Sequence, residues 1–202
     1  MSAITDYASL QTAVSSWLHR TDLTAFVPDF ISLAEGKMSA DISARPMDVR
    51  TNLTATISNA YVTLPSDMLE MRRLLLVTDP VYVLRYAAPD EITAEFPTAQ
   101  VGKPTTFTVI GSQIQLAPIP DTAYSIELTY KQKIPSLSGT NTSNWLLAAF
   151  PNVYLYAALC AAQPFIMNDA RIPTFEKLYL NSVDAINSID WYSGSTMCVR
   201  AK

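Results

Sequence analysis

Apolar positions recur at helical spacing at both ends of the chain and alternate in the middle. Tyr7, Leu10, Val14, Trp17 and Leu18 fall on one helical face behind two candidate cap residues, Thr5 and Asp6, so the spacing predicts a first helix over about 6–19. After the break at Arg20-Thr21-Asp22, Pro28 suits a first helical turn. Val27, Ile31, Ala34, Met38 and Ile42 then form a stripe, which predicts a second helix to about residue 44, before Pro46. Near the other end, Phe175, Tyr179, Val183 and Ile186 predict a helix over about 169–189, with Pro173 tolerated in its first turn. The last residues, from Trp191, show no periodicity and are expected to be extended.

Between these helices the period changes to two. Residues 52–57 and 61–64 alternate around Ser58-Asn59 and predict a hairpin. Pro65-Ser66-Asp67 can start a single helical turn. Residues 74–77 and 81–86 are strand-like around Asp79-Pro80, with Arg72-Arg73 at the start of the first. Residues 89–96 read as a short helix. The strongest hairpin signal is 106–110 and 113–117 around Gly111-Ser112, with glycine where a type II′ turn needs it. Tyr124, Ile126, Leu128 and Tyr130 share one face of a further strand. The expected fold is therefore α+β: a helical bundle of two N-terminal and two C-terminal helices, an inserted antiparallel β subdomain, and an extended C-terminal tail. The expected boundaries are 1–50, 51–135, 136–191 and 192–202.

One stretch, NWLLAAFPNVYLYAALCAAQPF (residues 144–165), carries no charge. A membrane span needs about 20 apolar residues to cross roughly 30 Å of hydrocarbon. Here Pro151 and Pro164 confine the uninterrupted helix to about 151–163, which is only about 20 Å long. No basic anchors flank it, so no membrane partner is expected. Ser143 or Asn144 is read as the cap of a short segment over 145–150, and Pro151 as the start of a helix apolar on all sides. Such a helix is buried all round. A small bundle offers few neighbours, so contact with other subunits is expected to cover Trp145, Tyr154, Tyr156 and Leu159.

Composition supports the need for partners. Of the 202 residues 49% are hydrophobic and only 16% charged, against about a quarter charged in ordinary soluble domains. The formal net charge is −4, and no Lys/Arg run marks a DNA-gripping face. Cys160 and Cys198 form no disulfide framework, and no signal peptide is expected at the N-terminus. The single histidine, His19, closes the first helix, where a cation is favoured. No zinc-type ligand set, phosphate-cradling glycine loop or nucleophile motif can be drawn, so no metal, cofactor or enzymatic activity is expected. Asp90, Glu91 and Glu95 read as the solvated side of the short helix. Core packing is the default reading for Trp17, Trp145 and Trp191, and Trp191-Tyr192 is the best candidate for an interface anchor.

Several segments together resemble a known family. DYASLQTAVSSWLHRTDLTAFVPDFISLAEGKM, YVTLPSDMLEMRRL, FTVIGSQIQLAPIP and NWLLAAFPNVYLYAALCAA resemble, in that order over about residues 5–195, the head-to-tail adaptor (connector) proteins of short-tailed and related bacteriophages. The chain departs from that pattern at Gly36 and Ser39, which bears on the stiffness of the second helix. The resemblance implies a structural virion protein in the neck between head and tail, assembled in the host cytoplasm. It implies a homo-oligomeric ring of about twelve copies, closed by rotational symmetry, that docks under the portal protein, meets a tail or nozzle protein, and lets double-stranded DNA through without sequence-specific binding. A C-terminal extension that reaches the portal would here be 192–202, which gives Trp191, Tyr192, Met197, Val199 and Arg200 as portal-binding candidates. In such a ring, Asp90, Glu91 and Glu95 facing the channel would repel phosphates. The chain is expected to be monomeric until it docks. Two other readings remain: a tail-completion or stopper ring of the same neck, recognised by docking to a tail tube, and an enzyme or carbohydrate-binding module built on the β block, recognised by a pocket of convergent polar groups.

Overall fold

The computed structural model describes residues 4–20, 22–165 and 171–189. The chain divides into two compact units: residues 47–133 form one, and the flanking segments form the other. The inserted unit thus begins earlier than the expected residue 51. Its first strand already starts at Asp48, where the inward positions Val49 and Thr51 give a weak alternation signal.

The flanking unit is helical, with α1 (Tyr7–Leu18) and α2 (Val27–Asp41) from the N-terminal segment. Asp6 is the cap of α1: its carboxylate accepts the Ser9 N–H at 2.8 Å, and the Ser9 hydroxyl accepts the Asp6 N–H at 2.9 Å. His19 ends α1 in the left-handed conformation. Helix α2 runs unbroken through Gly36 and Ser39, so both departures from the family pattern are absorbed within it. It ends at Asp41, where Ile42 turns extended.

The inserted unit holds β1 (Asp48–Ala55), β2 (Tyr61–Thr63), β3 (Met68–Leu76), β4 (Tyr82–Val83), β5 (Arg85–Tyr86), the helix α3 (Pro89–Glu95), β6 (Val101–Gly102), β7 (Thr106–Ile110), β8 (Gln113–Ala117), β9 (Ile119–Pro120) and β10 (Tyr124–Gln132). Two four-stranded sheets run in the orders β1-β10-β3-β4 and β2-β8-β7-β5, and β6 pairs with β9. All pairs are antiparallel except β5–β7 and β6–β9. Apolar faces of both sheets meet in one core that includes Leu74, Leu76, Phe107, Ile114, Ile126 and Leu128. A smaller cluster of Ala87, Ile92 and Ala117 lies against Phe96, where α3 ends.

Two local expectations are corrected here. β1 and β2 do not pair as a hairpin: β1 pairs with β10 over its whole length, and β2 pairs with β8. Ser58-Asn59 therefore links two sheets. Arg72-Arg73 lies in mid-strand, because β3 begins at Met68 and not near residue 74. The 106–117 hairpin forms as expected, with Gly111 at φ 59° at its first turn position.

The chain then returns to the helical unit with α4 (Trp145–Ala149), α5 (Pro151–Ala161) and α6 (Ile172–Ile189). Asn144 caps α4 by accepting the Leu147 N–H at 2.9 Å. Helix α5 is the centre of the unit and touches α1, α2, α4 and α6. Helix α6 buries the four residues of its expected stripe, Phe175, Tyr179, Val183 and Ile186.

Candidate functional site

The proposed subunit-contact residues on α5 divide into two groups. Tyr154 and Leu159 are both 0% exposed, enclosed by helices of their own chain, so neither presents a side chain to another copy. This corrects the expectation for those two: helices of the same bundle cover both side chains. Trp145 and Tyr156 are half-buried and keep surface at hand. Tyr156 stands edge-on to Trp17 with ring centroids 6.2 Å apart, and Trp17 also leans on Phe175 at 6.2 Å.

Tyr154 belongs instead to a buried polar cluster. Glu35 on α2 is only 5% exposed, and its Oε1 accepts the Leu137 N–H at 2.7 Å and the Tyr154 hydroxyl at 3.4 Å. Burial pushes the Glu35 carboxyl above the ordinary glutamate value, although its bonds to Leu137, Ser136 and Tyr154 pull the other way. The Tyr154 hydroxyl is also pushed up, again chiefly by burial. The Asn144 amide donates to the Tyr154 hydroxyl and to the Pro135 carbonyl, the latter at 2.7 Å. Ser39 accepts the Ile134 N–H at 3.3 Å. The irregular segment 134–144 is thus held against α2 and α5 by hydrogen bonds rather than by its own secondary structure. At the C-terminal end of α2, Tyr179 donates to Asp41 at 2.7 Å, and Asn187 bridges the Asp41 carbonyl and the Ser43 N–H.

A surface that the sequence reading missed runs along α1. Ile4, Ser9, Thr12, Ala13, Ser16, Trp17 and Leu155 line a groove, with Thr12 and Ser16 its exposed positions on α1. No residue of α1 is charged, and that was the available signal.

On α3, Asp90, Glu91 and Glu95 are all exposed, as expected. Glu91 and Glu95 both pair with Arg85, Glu91 at 3.0 Å. One guanidinium therefore faces two carboxylates, and the cluster keeps a net negative charge. The candidates Trp191, Tyr192, Met197, Val199 and Arg200 lie outside the described residues.

Among the described residues, no group of three or more His, Cys, Asp or Glu could hold a metal ion. No described helix is long and apolar enough to cross a membrane. Cys160 is a buried free thiol, and burial raises its pKa.

A family model described as SU10 adaptor protein covers residues 5–200. No curated protein matches the chain.

Proposed function

The chain belongs to the SU10 adaptor protein family, a family of phage adaptor proteins, and from that premise we propose that it forms a ring in the virion neck, under the portal, joining the head to the tail or nozzle and extending the DNA channel. The observation that carries this reading is the extent of the match, which takes in both compact units. The uncharged α1 face and the half-buried Trp145 and Tyr156 support a contact between copies: such surface loses little on leaving water. The 192–202 segment, with Met197, Val199 and Arg200 behind Trp191 and Tyr192, is the part we assign to the portal. The net negative cluster at Asp90, Glu91 and Glu95 is the part we assign to the channel, where it keeps DNA sliding.

Mass photometry of the chain, alone and with the portal ring of the same phage, tests this. The expected result is a monomer alone and about twelve copies added to the portal, as a closed cyclic assembly requires of matching subunits. Binding to a tail tube in place of the portal would turn the reading to a stopper or tail-completion ring. The contact surface has its own test. Thr12→Arg places a charge on the α1 face, where Thr12 is exposed. The variant is expected to keep its melting temperature and lose assembly by at least about tenfold in affinity.

A further inference from the structure

The inserted unit contains an unfilled strand position. β4 pairs with β3 only at Leu75 and Leu76, followed by one bond from the Leu84 N–H to the Leu74 carbonyl. The chain then leaves that sheet and joins the other, where β5 pairs with β7 only at Thr106 and Phe107, followed by a bond from the Ala87 N–H to the Phe107 carbonyl. Residues 69–73 of β3 and 108–110 of β7 thus have no strand on their outer edges among the described residues. Both edges border the same groove, lined by Met71, Arg72, Arg73, Val83, Phe107 and Val109. The segment 82–86 closes one end of this groove. It runs antiparallel to β3 and parallel to β7, so a strand that continued its line would meet both edges with one polarity.

We propose that this groove takes an extended segment of a partner protein, added antiparallel to the edge of β3, with apolar side chains turned inward and at least one carboxylate turned outward. The alternation follows from strand geometry, since successive side chains point to opposite faces. Inward positions meet Met71, Phe107 and Val109; outward positions meet the two arginines. Arg72 is already engaged, 3.6 Å from Asp48 and 3.1 Å from Glu70. Arg73 is exposed and makes no ion pair among the described residues, which leaves its charge for the partner. The pairing of β3 with β10 slips at Arg72 and again at Leu69, and these bulges with the flanking charges guard the edge against indiscriminate pairing. The proposal rests on the inserted unit alone and does not depend on the neck assignment.

The test is amide hydrogen exchange of the full chain with capped peptides of about seven residues, near the usual strand length, one alternating valine with glutamate and the other valine with lysine. The glutamate peptide is expected to slow exchange in 69–73 and 108–110, and to bind at least about tenfold more tightly than the lysine peptide. Arg73→Glu, at an exposed side chain without an ion-pair partner among the described residues, is expected to leave the fold intact and invert that preference. Val109→Arg, which fills the groove, is expected to abolish binding of both peptides. No slowing at millimolar peptide, slowing elsewhere in the chain, or equal binding of the two peptides would overturn the proposal.

Discussion

At the scale of single residues, the buried polar groups set the testable consequences. Glu35 has its carboxyl pushed up by burial, so the native state holds that proton more tightly than the unfolded chain. Its contribution is therefore fully present below the ordinary glutamate value of about 4.3, and is lost as pH rises through the higher native value. Glu35→Gln keeps an acceptor for the Leu137 N–H and removes the ionisation. The variant is expected to match the wild type at acid pH and to exceed it in stability at neutral pH, as read by urea denaturation across that range. A gap that widened toward acid would contradict the argument. Asn144 joins a helix cap to two donated bonds. Asn144→Asp keeps the cap acceptor and loses the amide, whereas Asn144→Ala loses both, with about 1–2 kcal/mol from the cap alone. The alanine variant is expected to be the less stable of the two in thermal melts. Thr108 presents the opposite case: it is fully buried, and its hydroxyl has no partner among the described residues. Thr108→Val keeps the shape and removes an unsatisfied group, so it is expected to be neutral or to stabilise by about 1 kcal/mol.

At the scale of elements, what could be read from the sequence depended on whether the signal was local. The α6 stripe and the β7–β8 hairpin were legible because helical spacing and Gly111 act within a few residues. β1 and β2 were misread as a hairpin because each takes a partner far along the chain, and no local pattern reports β10. β3 was read too short for a different reason. Its two bulges turn pairs of neighbours, Leu69-Glu70 and Arg72-Arg73, outward together, and this breaks the period of two. Helix α5 was placed correctly, but an all-round apolar helix gives no wheel from which to tell inner from outer positions. Tyr154 is fixed inward by Glu35 and Asn144, which lie far away in sequence or on another element. The consequence for α5 is a tight seat. Ala158 and Ala162 are both 0% exposed, so Ala158→Leu is expected to cost about 1–3 kcal/mol or more by overpacking.

At the scale of the whole molecule, the chain interrupts one core to build another. The inserted unit has its own apolar cluster drawn from both sheets, and no residue of that cluster comes from the helical unit. Its entry and exit lie side by side, since Asp48 is the register partner of Lys131. The exit is further held at Asp67, which takes bonds from the Tyr130 hydroxyl and the Gln132 amide through its carboxylate and from the Lys133 N–H through its carbonyl. A unit with a closed core and adjacent ends meets the conditions for folding alone. Residues 47–133, expressed by themselves, are therefore expected to unfold in one cooperative transition, with the dispersed amide spectrum of a packed β protein. Conversely, joining Pro46 to Ile134 through a short Gly/Ser linker replaces the insert by a loop of similar span, and loop closure of that length costs little. The helical unit in that chain is expected to keep its helical circular dichroism and its own transition. If 47–133 proved to be unfolded while the linked helical unit stayed folded, the insert would need the bundle as a template. If both pieces failed, the two cores would be one cooperative structure, and the partition drawn from their separate contacts would be wrong.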